Sequence, residues 1–345
     1  MRLKAFCRKN LLLKGIEMES LQKHSEKEKT TVKVSIGIPV YAVEKYIERC
    51  ARSLFEQTMQ EGIEFIFVNN CTPDRSIEIL KQVLEEYPHR KEQVKILHHD
   101  QNRGLVAARK TALAAACGDY IIHCDSDDWV ELDMYEAMYS TAVKNDADVV
   151  YSQYCLDSGT GSIKPIPFPQ YDTVEALLHG ILQNNLHWNL WVKMFRREIA
   201  QAPDLYSPNE ICFGEDLLAS TQMVLKCRTV AYCPGTYYHY FCDNAGSYTK
   251  NFQRKSLDQL MSAVTYLEGI LPKMYSMSAC KGEILFKAVF YGIMSWQEFH
   301  SYSSGIRWRV LRHSGIKRSK KLILIAAFCC FPLTKLICAF LRKIK

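Results

Sequence analysis

No two of the fourteen cysteines are spaced C-x-x-C, which argues against a zinc ribbon or a thioredoxin-type site. No internal repeat or low-complexity tract is present, so solenoid and fibrous architectures are set aside. No apolar run of about twenty residues is free of charge and proline, as a clean membrane-spanning helix requires. Leu322–Leu341 reaches that length only by including Pro332 and Lys335. Acidic residues are absent from 307–345, where eleven basic residues stand alone.

What is present is a globular composition. Of 345 residues, 48% are hydrophobic and 23% charged, which excludes wholesale disorder. The formal charge of +7 invites a nucleic-acid reading that its distribution opposes. Residues 1–33 carry nine basic and four acidic side chains, and residues 34–306 carry 24 and 33. An acidic body therefore lies between two basic ends, and such ends usually act as interaction tails. No nucleic-acid partner is expected. Cysteines such as Cys50, Cys117, Cys124, Cys329 and Cys330 lie in apolar stretches and read as free thiols in a reducing compartment. The N-terminus reads as no signal peptide, because Lys9, Lys14 and Glu17 interrupt its only apolar run, Leu11–Leu13. Met18 offers an alternative start. At the other end, Lys317, Arg318, Lys320 and Lys321 precede the apolar stretch and Arg342, Lys343 and Lys345 follow it. That pattern predicts a segment lying on an anionic membrane surface, or else a helix packed on the protein's own core.

Between the ends, strand and helix alternate. Lys33–Pro39, Ile63–Val68, Val94–Leu97, Tyr120–Cys124 and Val149–Ser152 read as strands. Glu44–Thr58 places Ile47, Cys50, Ala51, Leu54 and Phe55 on one helical face. Thr72-Pro73-Asp74 predicts a helix start, Leu105–Cys117 a helix closed by Gly118 as C-cap, and Leu132–Lys144 a further helix. Five such repeats predict an α/β fold: a mostly parallel, Rossmann-like sheet with helices on both faces. Ligands of such sheets bind beyond the carboxyl ends of the strands. After Tyr154 the rhythm is lost. A mixed half follows, then a helical stretch over 251–306.

One strand end is dense in acid: His123-Cys124-Asp125-Ser126-Asp127-Asp128-Trp129. Three carboxylates so close repel one another, by about 1–4 kcal/mol per pair. A divalent cation relieves this, and Mg²⁺ or Mn²⁺ takes one or two carboxylates together with substrate phosphates. In an extended segment Asp125 and Asp127 share a side, and Asp128 points away to cap the next helix. The competing reading is a solvated acidic turn.

Five ordered blocks resemble the family-2 glycosyltransferases of GT-A fold: Ile38-Pro39-Val40-Tyr41 with Glu44, Ser53-Leu54 with Gln57-Thr58, Thr72-Pro73-Asp74, Asn102-Arg103-Gly104 with Ala107-Ala108-Arg109, and Gly118-Asp119-Tyr120 leading to Asp125–Asp128. The resemblance implies a nucleotide-sugar donor and Mn²⁺ or Mg²⁺ as cofactor. It implies that Pro39, Tyr41 and Glu44 line the base and ribose pocket, that Asn70 faces the base, and that Asp125 and Ser126 approach the ribose. Asp127 and Asp125 would hold the metal. Arg103 or Arg109 would balance nearby negative charge, Arg109 either on the diphosphate or in an ion pair with a site carboxylate. Two departures stand out: Ala42 where relatives usually carry Asn, and Asn69-Asn70 where they carry at least one acid. Asn still donates and accepts hydrogen bonds, but the acceptor strength of a carboxylate is lost.

In the second half, Phe213-Gly214-Glu215-Asp216 resembles the family's acidic pair, which makes Asp216 the candidate catalytic base and Glu215 its rival. The alternative is simple capping of the following helix. Tyr237–Phe241 resembles the strand that closes the site, with Phe241 where many relatives carry Arg. His239 or Lys250 is the candidate substitute beside the metal and diphosphate. Trp188 and Trp191 resemble the acceptor-side segment, though their spacing suits a core equally. The domain reading is a basic extension over 1–32, a nucleotide-sugar half over 33–155, an acceptor half over 156–250, helices over 251–306 and a membrane-associating tail over 307–345.

The resulting expectation is an inverting, metal-dependent transferase at the cytoplasmic face of a bacterial plasma membrane, acting on a glycan or lipid-linked acceptor in surface polysaccharide synthesis. One alternative is a catalytically inactive nucleotide-sugar-binding scaffold. Another is a sugar nucleotidyltransferase, which the missing Gly-rich loop after the first strand opposes.

Overall fold

The computed structural model describes residues 31–183, 186–205, 211–244, 252–304, 307–312 and 316–344. The expected extension over 1–32 falls almost wholly outside them, as does Lys250. The strands are β1 (Val34–Val40), β2 (Ile63–Asn69), β3 (Val94–His98), β4 (Tyr120–His123), β5 (Trp129–Val130), β6 (Val149–Asp157), β7 (Ile163–Ile166), β8 (Lys193–Arg196) and β9 (Val230–Phe241). The helices are α1 (Ile47–Phe55), α2 (Ser76–Glu86), α3 (Leu105–Ala115), α4 (Met134–Lys144), α5 (Val174–Leu182), α6 (Arg197–Ala200), α7 (Glu215–Val224), α8 (Arg254–Ile270), α9 (Ser278–Phe290), α10 (Trp296–Ser303), α11 (Arg307–Arg312), α12 (Arg318–Cys329) and α13 (Phe331–Ile344).

The nine strands form one sheet in the order β3-β2-β1-β4-β8-β6-β9-β5, with β7 beside β6. β3, β2, β1 and β4 are parallel, as the alternation predicts. Their side chains are apolar on both faces because helices cover both; Val34, Ile36, Ile38, Phe65 and Phe67 are fully buried. α1 turns Ile47, Cys50, Ala51, Leu54 and Phe55 into that core. β6 runs in the direction of β4 without touching it, because β8 is inserted antiparallel to both. β9 then pairs parallel to β6. The sheet is therefore continuous across the two expected halves.

Two local readings need correction. The helix after Thr72-Pro73-Asp74 begins only at Ser76. Asp74 Oδ1 instead accepts from the Thr72 hydroxyl (2.7 Å) and the Ser76 hydroxyl (2.5 Å), and Asp74 Oδ2 accepts from Glu44 N (2.9 Å). The turn thus ties the end of β1 to the start of α2. Gly118 is not a left-handed C-cap, since α3 ends at Ala115 with Ala116 extended. Its backbone N–H donates to Ser35 Oγ at 2.8 Å, and a Cβ at residue 118 would stand 2.8 Å from Ser35 N. Close approach, rather than backbone freedom, requires glycine there.

The C-terminal apolar stretch forms two helices that pack back on α9. Leu324, Ala327, Phe331 and Cys338 are buried, whereas Leu322, Leu333, Leu336 and Phe340 are exposed. Among the described residues no helix is long and apolar enough to cross a membrane.

Candidate active site

The acidic segment leaves β4 at His123 and turns, with Asp128 N donating to Asp125 O at 3.1 Å. The segment is not extended, so the alternation expected for its carboxylates does not hold. Asp128 caps no helix. It is fully buried, accepting from Tyr238 Oη (2.7 Å) and Phe241 N (2.7 Å), and this fastens the turn to β9. Ser126 Oγ donates to Pro39 O at 2.7 Å, fastening the turn to β1; both residues thus shape the pocket by bracing it.

Arg109, buried on α3, gathers acids that the sequence keeps far apart. Its Nη2 donates to Asp125 Oδ1 (2.9 Å), and its Nη1 to Glu215 Oε1 (2.8 Å) and Asp216 Oδ1 (2.5 Å). Of the two roles left open for Arg109, the structure shows the ion pair. Glu215 and Asp216 open α7, whose preceding Gly214 has φ 95°. Burial raises both carboxyl pKa values, and the negative neighbours Asp216 (for Glu215) and Asp125 (for both) add to it, while Arg109 opposes. Asp216 is the more open of the pair, with 26% of its side chain exposed against 10% for Glu215. Its Oδ2 accepts no hydrogen bond from a described residue. Capping alone does not account for this arrangement.

Asp127 lies beside this group. Asn244 Nδ2 donates to its Oδ2 at 2.8 Å, and Arg49 Nη2 donates to its backbone O at 3.1 Å. Burial, then the Asp125 charge, raises the Asp127 pKa, while the Asn244 hydrogen bond and the Arg49 charge oppose the shift. Among the described residues no three His, Cys, Asp or Glu side chains form a ready-made metal cage. The donor set fits a Mg²⁺ or Mn²⁺ that takes Asp127, with Asp125 near, and completes its shell from substrate oxygens.

Several expected site residues make other contacts. His239 Nε2 lies 2.7 Å from Glu131 Oε1, its ring stacks on Trp129 with centroids 3.5 Å apart, and its Nδ1 has no partner among the described residues. Asn70 is turned inward, its Oδ1 accepting from Arg103 N (2.9 Å) and its Nδ2 donating to Asn102 Oδ1 (2.9 Å). It braces the loop before α3 instead of facing a base. Glu44 accepts from Arg75 N at 3.2 Å, next to the start of α2. Trp191 is core, stacked on Tyr238 at 4.1 Å and 2% exposed. Trp188 is partly buried, and its indole N–H has no partner among the described residues. Tyr41 does stand open at the end of β1, and the Arg103 side chain is exposed. Ala42 has φ 54°, a left-handed conformation that Asn tolerates far better, which rationalises the Asn usual at this position.

Two residues escaped the sequence reading. Arg49 bonds Asp157 Oδ2 (3.0 Å) as well as Asp127 O, and its guanidinium stacks over Phe241 at 4.5 Å. Partners 78 and 108 residues away leave no local signal. Lys193 is buried, with Nζ donating to His187 O (2.8 Å) and Asn189 O (2.6 Å). A lone lysine inside the apolar run Leu190–Phe195 was the available clue.

An acid cluster at the carboxyl ends of parallel strands, closed by an acidic pair from a mixed second half, defines a GT-A type sugar-transferase scaffold. Residues 35–198 match the model of glycosyl transferase family 2, so this stretch is a domain of that family. It is 35% identical over 190 residues to the uncharacterized glycosyltransferase EpsJ of Bacillus subtilis (strain 168), covering 53% of each chain. It is 32% identical over 231 residues to EpsH of the same organism, covering 65% of each. The chain thus spans between about half and two thirds of the length of these curated relatives. In fold it is similar to S. aureus TarS 1-349 in complex with UDP-GlcNAc, with a TM-score of 0.61, 18% identity, and 91% and 92% of the two chains covered.

Proposed function

We propose that the chain is an inverting glycosyltransferase. It moves a sugar from a nucleoside-diphosphate sugar onto a glycan or lipid-linked acceptor in bacterial surface polysaccharide synthesis. The observation that carries this reading is Arg109, which joins Asp125 of the donor side to Glu215 and Asp216 of the acceptor side. The charge of Arg109 is shared among three carboxyl groups, and a carboxylate kept ionised beside it suits the positive charge that develops at an anomeric carbon.

In this reading Tyr41 stacks on the base. Arg109 orients Asp216, whose Oδ2 removes the acceptor hydroxyl proton as the acceptor oxygen attacks the anomeric carbon and the bond to the diphosphate breaks. A divalent cation at Asp127 would neutralise the charge developing on the departing diphosphate. A nucleotide-sugar donor is in keeping with the fold shared with TarS 1-349, solved in complex with UDP-GlcNAc. The basic, apolar helices α12 and α13 bring the chain to the anionic inner face of the plasma membrane.

Asp216→Asn tests the assignment. Calorimetry with a panel of nucleoside diphosphates and Mn²⁺ is expected to show wild-type donor binding, and turnover is expected to fall by about 10²–10⁴. Undiminished turnover would remove Asp216 as base. Binding indifferent to Mn²⁺ would remove the metal.

A further inference from the structure

Residues 187–189, in the loop before β8, have no regular secondary structure, yet each of their three carbonyls is taken by a buried side chain. Lys193 Nζ of β8 donates to His187 O (2.8 Å) and Asn189 O (2.6 Å). Ser220 Oγ of α7 donates to Trp188 O between them. Tyr154 of β6 adds a side-chain contact, its Oη 2.8 Å from His187 Nδ1. Lys193, Ser220 and Tyr154 are each at most 3% exposed, and Leu186 and Leu190 bury the two ends of the loop. Three elements therefore grip one short segment. The grip is costly, because the Lys193 ammonium is buried with its hydrogen bonds directed to neutral carbonyls. Burial pushes its pKa down to about 7, while the Asp216 charge opposes the shift.

The same contacts fasten the loop to the candidate base and to the donor side. Ser220 stands four residues after Asp216, one turn along the same face of α7. Trp191, just past the loop, stacks on Tyr238 at 4.1 Å, and Tyr238 Oη accepts from Asp125 N at 3.0 Å. What the grip leaves free is polar. Among the described residues, His187 Nε2, Trp188 Nε1 and the Asn189 side-chain amide have no hydrogen-bond partner. His187 is exposed, and Trp188 and Asn189 are half-buried. The His187 imidazole is neutral near pH 7, its pKa held at about 4 by burial and then by the Lys193 charge. The loop thus offers uncharged donors and acceptors beside aromatic rings. That chemistry suits a hydroxylated ring with an apolar face better than an anion.

We infer that Lys193 and Ser220 are positioning residues that lock the loop of His187, Trp188 and Asn189 to the helix of Asp216, and that this loop holds a sugar ring of the acceptor. The inference rests on the glycosyltransferase reading and names the acceptor class for it. Where Tyr154 donates to Nδ1, His187 Nε2–H donates to a sugar hydroxyl, and the Asn189 amide pairs with another. The Trp188 ring borders the apolar face of the sugar. Fixing the loop backbone to α7 sets the distance between the bound ring and Asp216 before the acceptor arrives.

Saturation-transfer NMR on the full chain tests this, with methyl β-D-glucoside, methyl β-D-galactoside and methyl N-acetyl-β-D-glucosaminide as probes. Wild type is expected to bind at least one of the three. Lys193→Met and Ser220→Ala are each expected to weaken that binding at least about fivefold, as is Asn189→Ala, whose side chain braces nothing. Ser220→Thr keeps the hydroxyl and is expected to keep the affinity, which separates the hydrogen bond from packing. Should Lys193→Met fail to fold, Ser220→Ala and Asn189→Ala decide. Absence of glycoside binding in wild type overturns the inference, as does unchanged affinity in Ser220→Ala. A loss in Ser220→Thr equal to that in Ser220→Ala also overturns it. So does a loss confined to Tyr41→Ala, which would seat the sugar in the donor pocket. If glycoside binding follows the Ser220 hydroxyl while nucleoside diphosphates with Mn²⁺ fail to bind, the donor reading falls and the loop stands. Nucleotide binding without glycoside binding removes the loop and leaves the donor reading intact.

Discussion

At the scale of single residues, Arg109 decides how much charge the site tolerates. Burial and mutual repulsion raise the pKa values of Glu215 and Asp216 above their unfolded values. Stability contributed by such groups is fully present below the unfolded carboxyl range and is lost as pH rises through the folded values. Arg109→Met removes the compensating charge and raises them further. At neutral pH the variant is expected to lose about 3–5 kcal/mol in urea unfolding. The deficit should shrink as the pH is lowered from about 8 to about 5. A deficit that grows on acidification would contradict the shared-cation reading. The sequence offered two roles for Arg109, and the contacts that decide between them lie 106 and 107 residues downstream. Asn70 and His239 are the opposite case. Their side-chain chemistry suggested ligands, but burial commits each to a neighbour invisible in one dimension.

At the scale of elements, the parallel strands were legible because each is a short apolar run followed by a helix of clear periodicity. β8 was not. It is only four residues long, sits between β4 and β6, and reverses direction, so no local pattern announces its place. The acidic segment was found by composition, but its turn geometry depends on Asp128 reaching β9. The start of α7 is the most demanding join. Gly214 has φ 95°, and a Cβ there would meet Leu260 Cδ2 of α8 at 2.7 Å. Gly214→Ala is expected to cost about 1–3 kcal/mol in thermal or urea unfolding. It should also lower turnover, because the shift falls on Glu215 and Asp216. Wild-type stability and activity together would show that α8 yields without moving the acidic pair.

At the scale of the whole molecule, the formal charge of +7 averages an acidic body and basic ends. The expected C-terminal segment is two helices with one face on α9. Leu336 is 69% exposed and Phe340 65% exposed, with Lys335 and Arg342 on the same helix. That arrangement suits a helix lying in a lipid surface. Leu336→Ser/Phe340→Ser removes apolar area without touching the buried face. In flotation with phosphatidylglycerol vesicles it is expected to bind at least about tenfold more weakly than wild type. Raised salt should weaken the wild-type interaction through screening. Unchanged flotation would leave the helices as packing alone. Whether the exposed face meets lipid was beyond the reach of hydropathy, because the same leucines serve a core or a membrane equally well.

The sharing of one guanidinium by Asp125, Glu215 and Asp216 also constrains how the sequence can drift. Arg109 holds all three acids in place through one guanidinium, so substitutions at these four positions are not independent. A change at one is expected to be tolerated chiefly alongside a change at another, although Arg109 stands 106 and 107 residues from the acidic pair. The four positions therefore form one heritable unit spanning donor and acceptor sides. New specificity is more readily gained in the surrounding loops than in this quartet.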